Sequence, residues 1–179
     1  MRSKHTARVL LSTGAWKTIL LDAYGHQEIE ACGALLGRID EAGNWYVEEA
    51  RPLRNIYASP VYFEFDPAEL LTIDVEQPGR MIGVYHSHPA GPAVASSIDR
   101  GNMQRVNAEQ HIPWVWLIVS GPFTSQPTAE PGETLERIER GETISARGLI
   151  AYHHYHEAGL QQIAIQHIDG EDARPLQHQ

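Results

Sequence analysis

Apolar residues along this chain fall mostly into short runs, and the spacing within each run predicts a strand or a helix. Residues 7–12 form a short apolar run that predicts a strand, and Ser12 or Thr13 is the expected N-cap of the helix that follows. Residues 31–53 contain two strand-like runs around the turn sequence EAGN, which predicts a hairpin. The first helix has an apolar face at helical spacing: Trp16, Ile19, Leu20 and Tyr24.

Strand and helix patterns alternate through the middle of the chain. Residues 61–66 alternate between apolar and polar side chains, which is typical of a strand. A helix is predicted over 67–76, because Asp66 is a suitable N-cap and Pro67 suits the first helical position. Residues 80–87 are so dense in apolar side chains that they predict a strand buried on both faces.

The remaining runs indicate a domain in which strands outnumber helices. Residues 96–111 predict a helix capped by Ser96 or Ser97, and residues 113–120 are the most apolar strand, expected near the centre of the sheet. Residues 148–168 predict a final hairpin that turns at an Ala-Gly pair. The fold class expected from this order is α/β (α+β), with a mixed β-sheet flanked by helices.

Length and local composition predict one domain with two polar segments. The chain has 179 residues, which is enough to bury a core without disulfides or metal. We expect the domain to span residues 1–169, with a mobile insertion at about 123–147 that is rich in Pro, Gly, Thr and Glu. Residues 170–179 predict a flexible tail.

The net charge and the cysteine content limit which binding partners and which cellular compartment we expect for this protein. The formal net charge of −9 argues against binding to nucleic acid or to an anionic membrane, because both need clustered Lys and Arg. The single cysteine, Cys32, excludes an internal disulfide framework and suits a reducing compartment. No apolar run is long enough for a membrane span or a signal peptide, so we expect a cytoplasmic monomer or homodimer.

The residues with the clearest chemistry are two histidines one residue apart at the end of the strand at 80–87. Residues i and i+2 of a strand share a face, so His86 and His88 are expected to present two imidazoles side by side. A carboxylate completes many three-ligand zinc sites, and Asp99 follows a loop that is able to return it to the histidines. Ser96 is placed to donate a hydrogen bond to a developing oxyanion. A bare His-x-His is more often surface polarity, but the added Ser-x-x-Asp favours a site.

Two separated motifs carry a family resemblance. The stretch HSHPAGPAVASSID, residues 86–99, resembles the signature of the JAMM (MPN-type) zinc metalloproteases: His-x-His, seven residues, Ser, two residues, Asp. Upstream, EACGALLG resembles that family's glutamate segment, with Glu30 two residues before the pair Cys32 and Gly33. The resemblance covers roughly residues 7 to 122. It suggests a prokaryotic stand-alone member whose layered architecture is similar to that of cytidine deaminases.

The resemblance implies a catalytic centre and a reaction. In such a centre, Glu30 is the general acid/base and Ser96 supports the tetrahedral intermediate, while three side chains hold Zn²⁺: His86, His88 and Asp99. The implied enzyme is a zinc-dependent isopeptidase or peptidase that cleaves after the C-terminal Gly-Gly of a ubiquitin-like or sulfur-carrier protein. Many family members have proline before the motif serine, whereas this chain has Ala95, which affects loop rigidity rather than chemistry.

Two alternatives to the isopeptidase remain open at the level of the sequence. A non-catalytic MPN-like scaffold would use the same fold to bind a partner, although this chain keeps the full set of motif residues. A hydrolase of a small amide or cysteine adduct would use the same centre on a different substrate. Deconjugation and precursor processing are equally compatible with the motif, as are roles in sulfur transfer and in anti-phage defence.

Several other polar residues compete for a role. Glu28 lies two residues before Glu30 and is expected to be a solvated charge, and Cys32 is expected to be a buried core residue. In the run YHHYH, His154 and His156 are expected on one strand face and His153 on the other, either as a second metal site or, as we favour, as polar rings on a partly exposed strand. Two tryptophans are expected to share a strand face beside the zinc cleft: Trp114 and Trp116.

Overall fold

A computed structural model describes residues 7–120 and 148–169 of the chain. No helix in these two ranges has the length and apolar character needed to cross a membrane. The insertion expected at about 123–147 and the tail expected at 170–179 lie outside the described residues. The described elements, in chain order, are β1 Arg8–Ser12, α1 Thr13–Gly25, β2 Cys32–Ile39, β3 Trp45–Leu53, α2 Pro67–Glu76, β4 Met81–His88, α3 Ser97–Met103 with a π-helical continuation Gln104–Glu109, β5 Val115–Ser120, β6 Leu149–Tyr155 and β7 Gly159–Ile168.

The strands form one mixed sheet that closes on itself. The order is β1-β3-β2-β4-β5-β6-β7, and β1 pairs in parallel with both β3 and β7. The two predicted hairpins, β2–β3 and β6–β7, are antiparallel as expected. The β4–β5 pair is parallel, and α3 makes the crossover between the two strands. The predicted α/β class is confirmed, and the closure of the sheet is a feature that strand patterns alone do not reveal.

Side-chain caps fix where the helices begin. The Ser12 hydroxyl accepts a hydrogen bond from the Ala15 N–H at 3.1 Å, so Ser12 rather than Thr13 is the N-cap of α1. Asp66 caps α2 by accepting a hydrogen bond from the Ala68 N–H at 2.9 Å, and Pro67 occupies the first helical position as predicted. The first residue of each of these two helices is therefore predictable from the capping residue in the sequence.

The strand predicted over 61–66 is wrong. This segment lies in the loop between β3 and α2, and it makes a single bridge, between Phe65 and Asn55. Its backbone pairs only briefly with the end of the preceding segment: the Glu64 carbonyl accepts from the Ile56 N–H at 3.0 Å, and the Asp66 N–H donates to the Arg54 carbonyl at 3.2 Å. The Asn55 side chain holds the rest, because its amide donates to the Tyr62 carbonyl at 3.0 Å and accepts from the Glu64 N–H at 3.2 Å. The backbone pairing with residues 54–56 is too short to form a strand.

The helix predicted over 96–111 is present, but its second half is widened into a π-helix over Gln104–Glu109. Asn107 of this segment is buried and donates to the carbonyls of Ile112 and Trp114 at 2.8 and 2.9 Å. Its amide oxygen accepts from the Trp116 indole N–H at 3.0 Å. The asparagine therefore ties the helix to the start of β5.

The core places the end of β4 between two layers. One face of the sheet packs against the buried side of α1, which includes Trp16, Ile19 and Leu20. The other face of β4 and β5 packs against α3 and its continuation. β4 is buried from Ile82 to Ser87, which confirms the predicted burial on both faces. Trp116 of β5 and Trp114 pack in the same cluster as Ala93 and Ala95 of the loop before α3. Trp114 precedes the first residue of β5, so the expectation that both tryptophans lie on one strand face is wrong for Trp114.

Candidate metal centre

Three potential metal ligands converge where β4 ends and α3 begins. His86 Nε2 lies 3.1 Å from His88 Nε2 and 3.1 Å from Asp99 Oδ1. His88 Nε2 lies 3.3 Å from Asp99 Oδ2. Within residues 7–120 and 148–169, no other group of three or more His, Cys, Asp or Glu side chains brings its ligand atoms together in this way. The structure therefore assembles the trio that the sequence predicted.

The trio fits a tetrahedral divalent cation. Ligands held about 2.0–2.1 Å from a tetrahedral zinc lie about 3.3–3.4 Å from each other, close to the spacings observed between these donor atoms. His88 Nδ1 lies 2.8 Å from the Pro92 carbonyl, which is only able to accept, so Nδ1 carries the proton. In the neutral ring the lone pair of His88 is then on Nε2, which faces the other two ligands, as a metal-binding histidine requires.

A capping box orients Asp99. The Ser96 hydroxyl accepts from the Asp99 N–H at 3.1 Å, and Asp99 Oδ2 accepts from the Ser96 N–H at 2.7 Å. Ser96 is thus the N-cap of α3, and Ser97 is the first helical residue. Because a hydroxyl that accepts one hydrogen bond still carries its own proton, the exposed Ser96 remains able to donate one. The same contacts that start the helix aim the carboxylate at the imidazoles.

Hydrogen bonds that the sequence did not indicate place Glu30 near this trio. Ser87, which lies between the two histidines, accepts from the Ala31 N–H through its hydroxyl and donates its own N–H to the Ala31 carbonyl, both at 2.9 Å. The Asn55 amide donates to the Glu30 carbonyl at 3.1 Å, and the Glu30 N–H donates to the Ser59 carbonyl at 2.8 Å. Hydrogen bonds therefore connect the segment around Glu30 both to β4 and to the β3–α2 loop.

Glu30 is almost fully buried, with 5% of its surface exposed. It lines a small cleft together with Ser96 and Asp99 of the α3 start and Tyr62 and Phe63 of the β3–α2 loop. Burial raises the pKa of Glu30 to about 7, the positive charge of His88 lowers it and the charge of Asp99 raises it. A carboxyl group with a pKa near neutrality is suited to both accepting and donating a proton.

Burial and mutual hydrogen bonds set the charge states of the three converging side chains. Burial lowers the pKa of His86 and outweighs the hydrogen bond to Asp99 and the charge of Asp99, which raise it. Burial also lowers the pKa of His88, but its hydrogen bonds to Asp99 and Pro92 outweigh this and the net shift is upward. For Asp99, burial raises the pKa, while hydrogen bonds from both histidines more than offset burial and hold the pKa well below its usual range.

Comparison with known proteins places the chain in a family. Residues 13–135 match the family described as prokaryotic homologs of the JAB domain. This chain belongs to that family. The match covers both the Glu30 segment and the stretch from His86 to Asp99, and it confirms the predicted membership of a prokaryotic JAMM/MPN-type family.

Individual relatives of this JAB-family chain have been named or solved. The desampylase of Pyrococcus furiosus is 35% identical over 104 residues, which cover 56% of this chain and 66% of that protein. The desampylase of Haloferax volcanii is 36% identical over 103 residues, which cover 53% of this chain and 72% of that protein. The solution structure of a Desulfitobacterium hafniense protein superposes with a TM-score of 0.61 at 26% identity, covering 90% of this chain and 93% of that one.

The competing single residues behave as the sequence predicted. Glu28 is exposed in the turn that follows α1, where a charged side chain is solvated. Cys32 is buried in β2, and its thiol donates to the Leu53 carbonyl at 3.6 Å. Burial raises the pKa of Cys32 to about 12, with further increases from Asp22, Glu30 and Glu69, so the side chain is a thiol rather than a nucleophilic thiolate.

The histidines of the run YHHYH do not form a cluster. β6 ends at Tyr155, so His156 is an exposed turn residue, and the expectation that it shares a strand face with His154 is wrong. His153 Nδ1 lies 2.9 Å from the Trp114 carbonyl, and its ring packs 5.0 Å from the ring of Trp45. Polar rings on a partly buried strand describe these residues better than a second metal site.

The raised pKa of Glu30 predicts a pH-dependent gain in stability for Glu30→Gln in the metal-free protein. The pKa is about 7 in the folded chain and near its ordinary value of 4.5 in the unfolded chain, so the unfolded state releases its proton first as the pH rises. Wild-type stability therefore falls between these two pH values, by at most about 3 kcal/mol, and then levels off. Glutamine removes this loss, so the variant should unfold at higher denaturant concentration than wild type at pH 8.

Chemical denaturation at pH 4 and pH 8 in the presence of a chelator measures this effect. Glu28→Gln is the matched control, because Glu28 is exposed and lies two residues away. Equal pH dependence in wild type and Glu30→Gln would show that the Glu30 carboxyl titrates normally.

Proposed function

We propose that this chain is a zinc-dependent isopeptidase or peptidase that cleaves after the C-terminal Gly-Gly of a ubiquitin-like protein. The observation that carries the proposal is the convergence of His86, His88 and Asp99, with Glu30 and Ser96 in the adjoining cleft. The two relatives named desampylase support hydrolysis of a ubiquitin-like conjugate rather than a scaffold role.

In this proposal the three converging side chains would hold zinc through two imidazole nitrogens and one carboxylate. When bound, zinc lowers the pKa of a coordinated water and polarises a carbonyl, which is the chemistry that amide hydrolysis needs. The donor set is typical of zinc, which accepts both nitrogen and oxygen ligands. Three protein ligands leave a fourth position open, as catalytic zinc sites require.

Glu30 and Ser96 supply the remaining groups. Glu30 accepts the proton of the attacking water and passes it to the departing amine, and its pKa of about 7 lets it do both near neutral pH. Ser96 donates its hydroxyl proton to the oxygen on which negative charge develops. Because the same hydroxyl oxygen accepts the Asp99 N–H at 3.1 Å, the position of the donor is fixed before the substrate arrives.

The shape of the cleft favours glycine next to the cleaved bond. The cleft that contains Glu30, Ser96 and Asp99 has a volume of about 10 Å³, and Val61 and Ile98 form part of its walls. A cleft this narrow leaves little room for a side chain beside the scissile carbonyl. An extended tail ending in glycine meets this requirement at low steric cost.

Incubating the zinc-loaded protein with fusions of ubiquitin-like proteins tests this function. We expect cleavage after the terminal glycine, loss of cleavage with a chelator, and recovery on adding zinc. A matched fusion in which the terminal glycine is replaced by valine should resist cleavage. Stoichiometric zinc binding without cleavage of Gly-Gly fusions would instead favour a scaffold or a hydrolase of small amides, and mass spectrometry of the products distinguishes hydrolysis after glycine from cleavage elsewhere.

A further inference from the structure

An aromatic ring from the β3–α2 loop lies against one of the metal-centre histidines. The ring of Phe63 stacks on the ring of His86 with a centroid separation of 4.5 Å and an angle of 27° between the ring planes. The ring of Phe63 also contacts the ring of Phe65, edge to face, with ring centroids 5.2 Å apart. Phe65 itself packs against two of the core clusters, so the stack is anchored in the interior of the domain.

His86 differs from His88 in how its second ring nitrogen is held. His88 Nδ1 is hydrogen-bonded to the Pro92 carbonyl at 2.8 Å. In the described part of the chain, by contrast, His86 Nδ1 has no hydrogen-bond partner, although this nitrogen is fully buried. Metal-binding histidines usually donate this N–H to a carbonyl or carboxylate, and that bond fixes the orientation of the ring. Another contact has to orient the imidazole of His86.

The loop that carries Phe63 is held rigidly at this point. Asn55 is buried and binds the residues on both sides of Phe63, the Tyr62 carbonyl at 3.0 Å and the Glu64 N–H at 3.2 Å. The same amide group donates to the Glu30 carbonyl at 3.1 Å. A ring held in this way is able to constrain the ring that it covers, because its own backbone is fixed on either side.

We propose that Phe63 is a positioning residue for the metal centre, whose stacked ring holds the His86 imidazole in the orientation that a hydrogen bond to Nδ1 provides in other sites. The inference rests on the metal-binding part of the proposed function and does not depend on the substrate. Loss of a group that orients a metal ligand typically weakens metal affinity by about 10- to 100-fold. Removing the Phe63 ring is expected to weaken zinc affinity by a factor of this size, because His86 would lose its orientation.

Metal binding by variants of Phe63 tests the proposal. Phe63→Leu keeps an apolar side chain but removes the flat ring, so zinc affinity measured by competition with a chromophoric chelator should fall about 10- to 100-fold. Phe63→Tyr restores the ring and should bind zinc within about threefold of wild type, since stacking is retained. The visible absorption bands of the Co²⁺-loaded protein should change in Phe63→Leu and match wild type in Phe63→Tyr, because they report the ligand geometry.

Tyr57→Leu is the matched control. Tyr57 lies in the same loop and contacts Tyr62 rather than a histidine, with ring centroids 4.9 Å apart, so this variant should keep wild-type zinc affinity. Thermal unfolding checks that each variant is folded, and Phe63→Met replaces Phe63→Leu if leucine prevents folding. Wild-type affinity and Co²⁺ spectrum in Phe63→Leu or Phe63→Met would overturn the inference, whereas absence of zinc binding by wild type would overturn the proposed function itself.

Discussion

Replacing Glu30 by glutamine is expected to abolish turnover of a Gly-Gly fusion while zinc stays bound. Glutamine keeps the size of the side chain but is unable to accept a proton from water or donate one to the leaving amine. General acid–base catalysis typically contributes about 10²- to 10⁴-fold, so kcat/KM should fall by at least that factor. Zinc affinity should be almost unchanged, because Glu30 is outside the group of three converging ligands. Steady-state kinetics and metal analysis of the same sample measure both quantities.

Glu28→Gln is the control for this experiment. Glu28 is exposed and lies two residues before Glu30, so its substitution should leave both the rate and the metal content at wild-type values. A wild-type rate in Glu30→Gln would remove Glu30 from the proposed mechanism. Loss of zinc together with activity in Glu30→Gln would instead assign Glu30 a structural role in the metal centre.

The convergence of the three candidate metal ligands was predictable from the sequence because it depends on local geometry. Strand periodicity is enough to place His86 and His88 on one face of β4. The interval Ser96-x-x-Asp99 is a capping box, so the hydrogen bonds that cap the helix also orient the carboxylate. Each of these relations spans only a few residues, and short-range spacing is what a sequence displays directly.

The position of Glu30 depended on contacts between distant segments. Ser87 and Ala31 are 56 residues apart, and their paired hydrogen bonds align the start of β2 with the end of β4. No local pattern distinguishes Ser87 from any other small polar residue in a strand. Glu30 was therefore identified by resemblance to a family motif, while the physical cause of its placement emerged only from the fold.

The contrast between local spacing and contacts of distant segments also explains which parts of the fold were predicted correctly. Hairpins and capped helices were predicted because turn residues and caps act over a few positions. The parallel pairing of β1 with β3 and β7 closes the sheet, but period-2 spacing does not specify which strand a given strand pairs with. The prediction for 61–66 failed because this segment pairs only with residues 54–56, while the Asn55 side chain binds the Tyr62 carbonyl and the Glu64 N–H.

Replacing His88 by alanine is expected to eliminate functional zinc binding and, with it, all cleavage. The change removes one of three ligand atoms that lie 3.1–3.3 Å apart, and removing a ligand should weaken affinity by more than the 10- to 100-fold typical of an outer contact. Wild-type protein should unfold at a higher temperature with zinc than with chelator, because zinc binds only the folded state. His88→Ala should unfold at the same temperature in both conditions.

His156→Ala is the matched control for His88→Ala, because it removes an exposed histidine from the run YHHYH. We expect one zinc per chain, an unchanged thermal response to zinc and a wild-type cleavage rate in this variant. These results together would place the functional ion at the end of β4. If His88→Ala retained both zinc and cleavage while His156→Ala lost them, the functional ion would bind near the β6–β7 turn, and the proposed mechanism through Glu30 and Ser96 would be untenable.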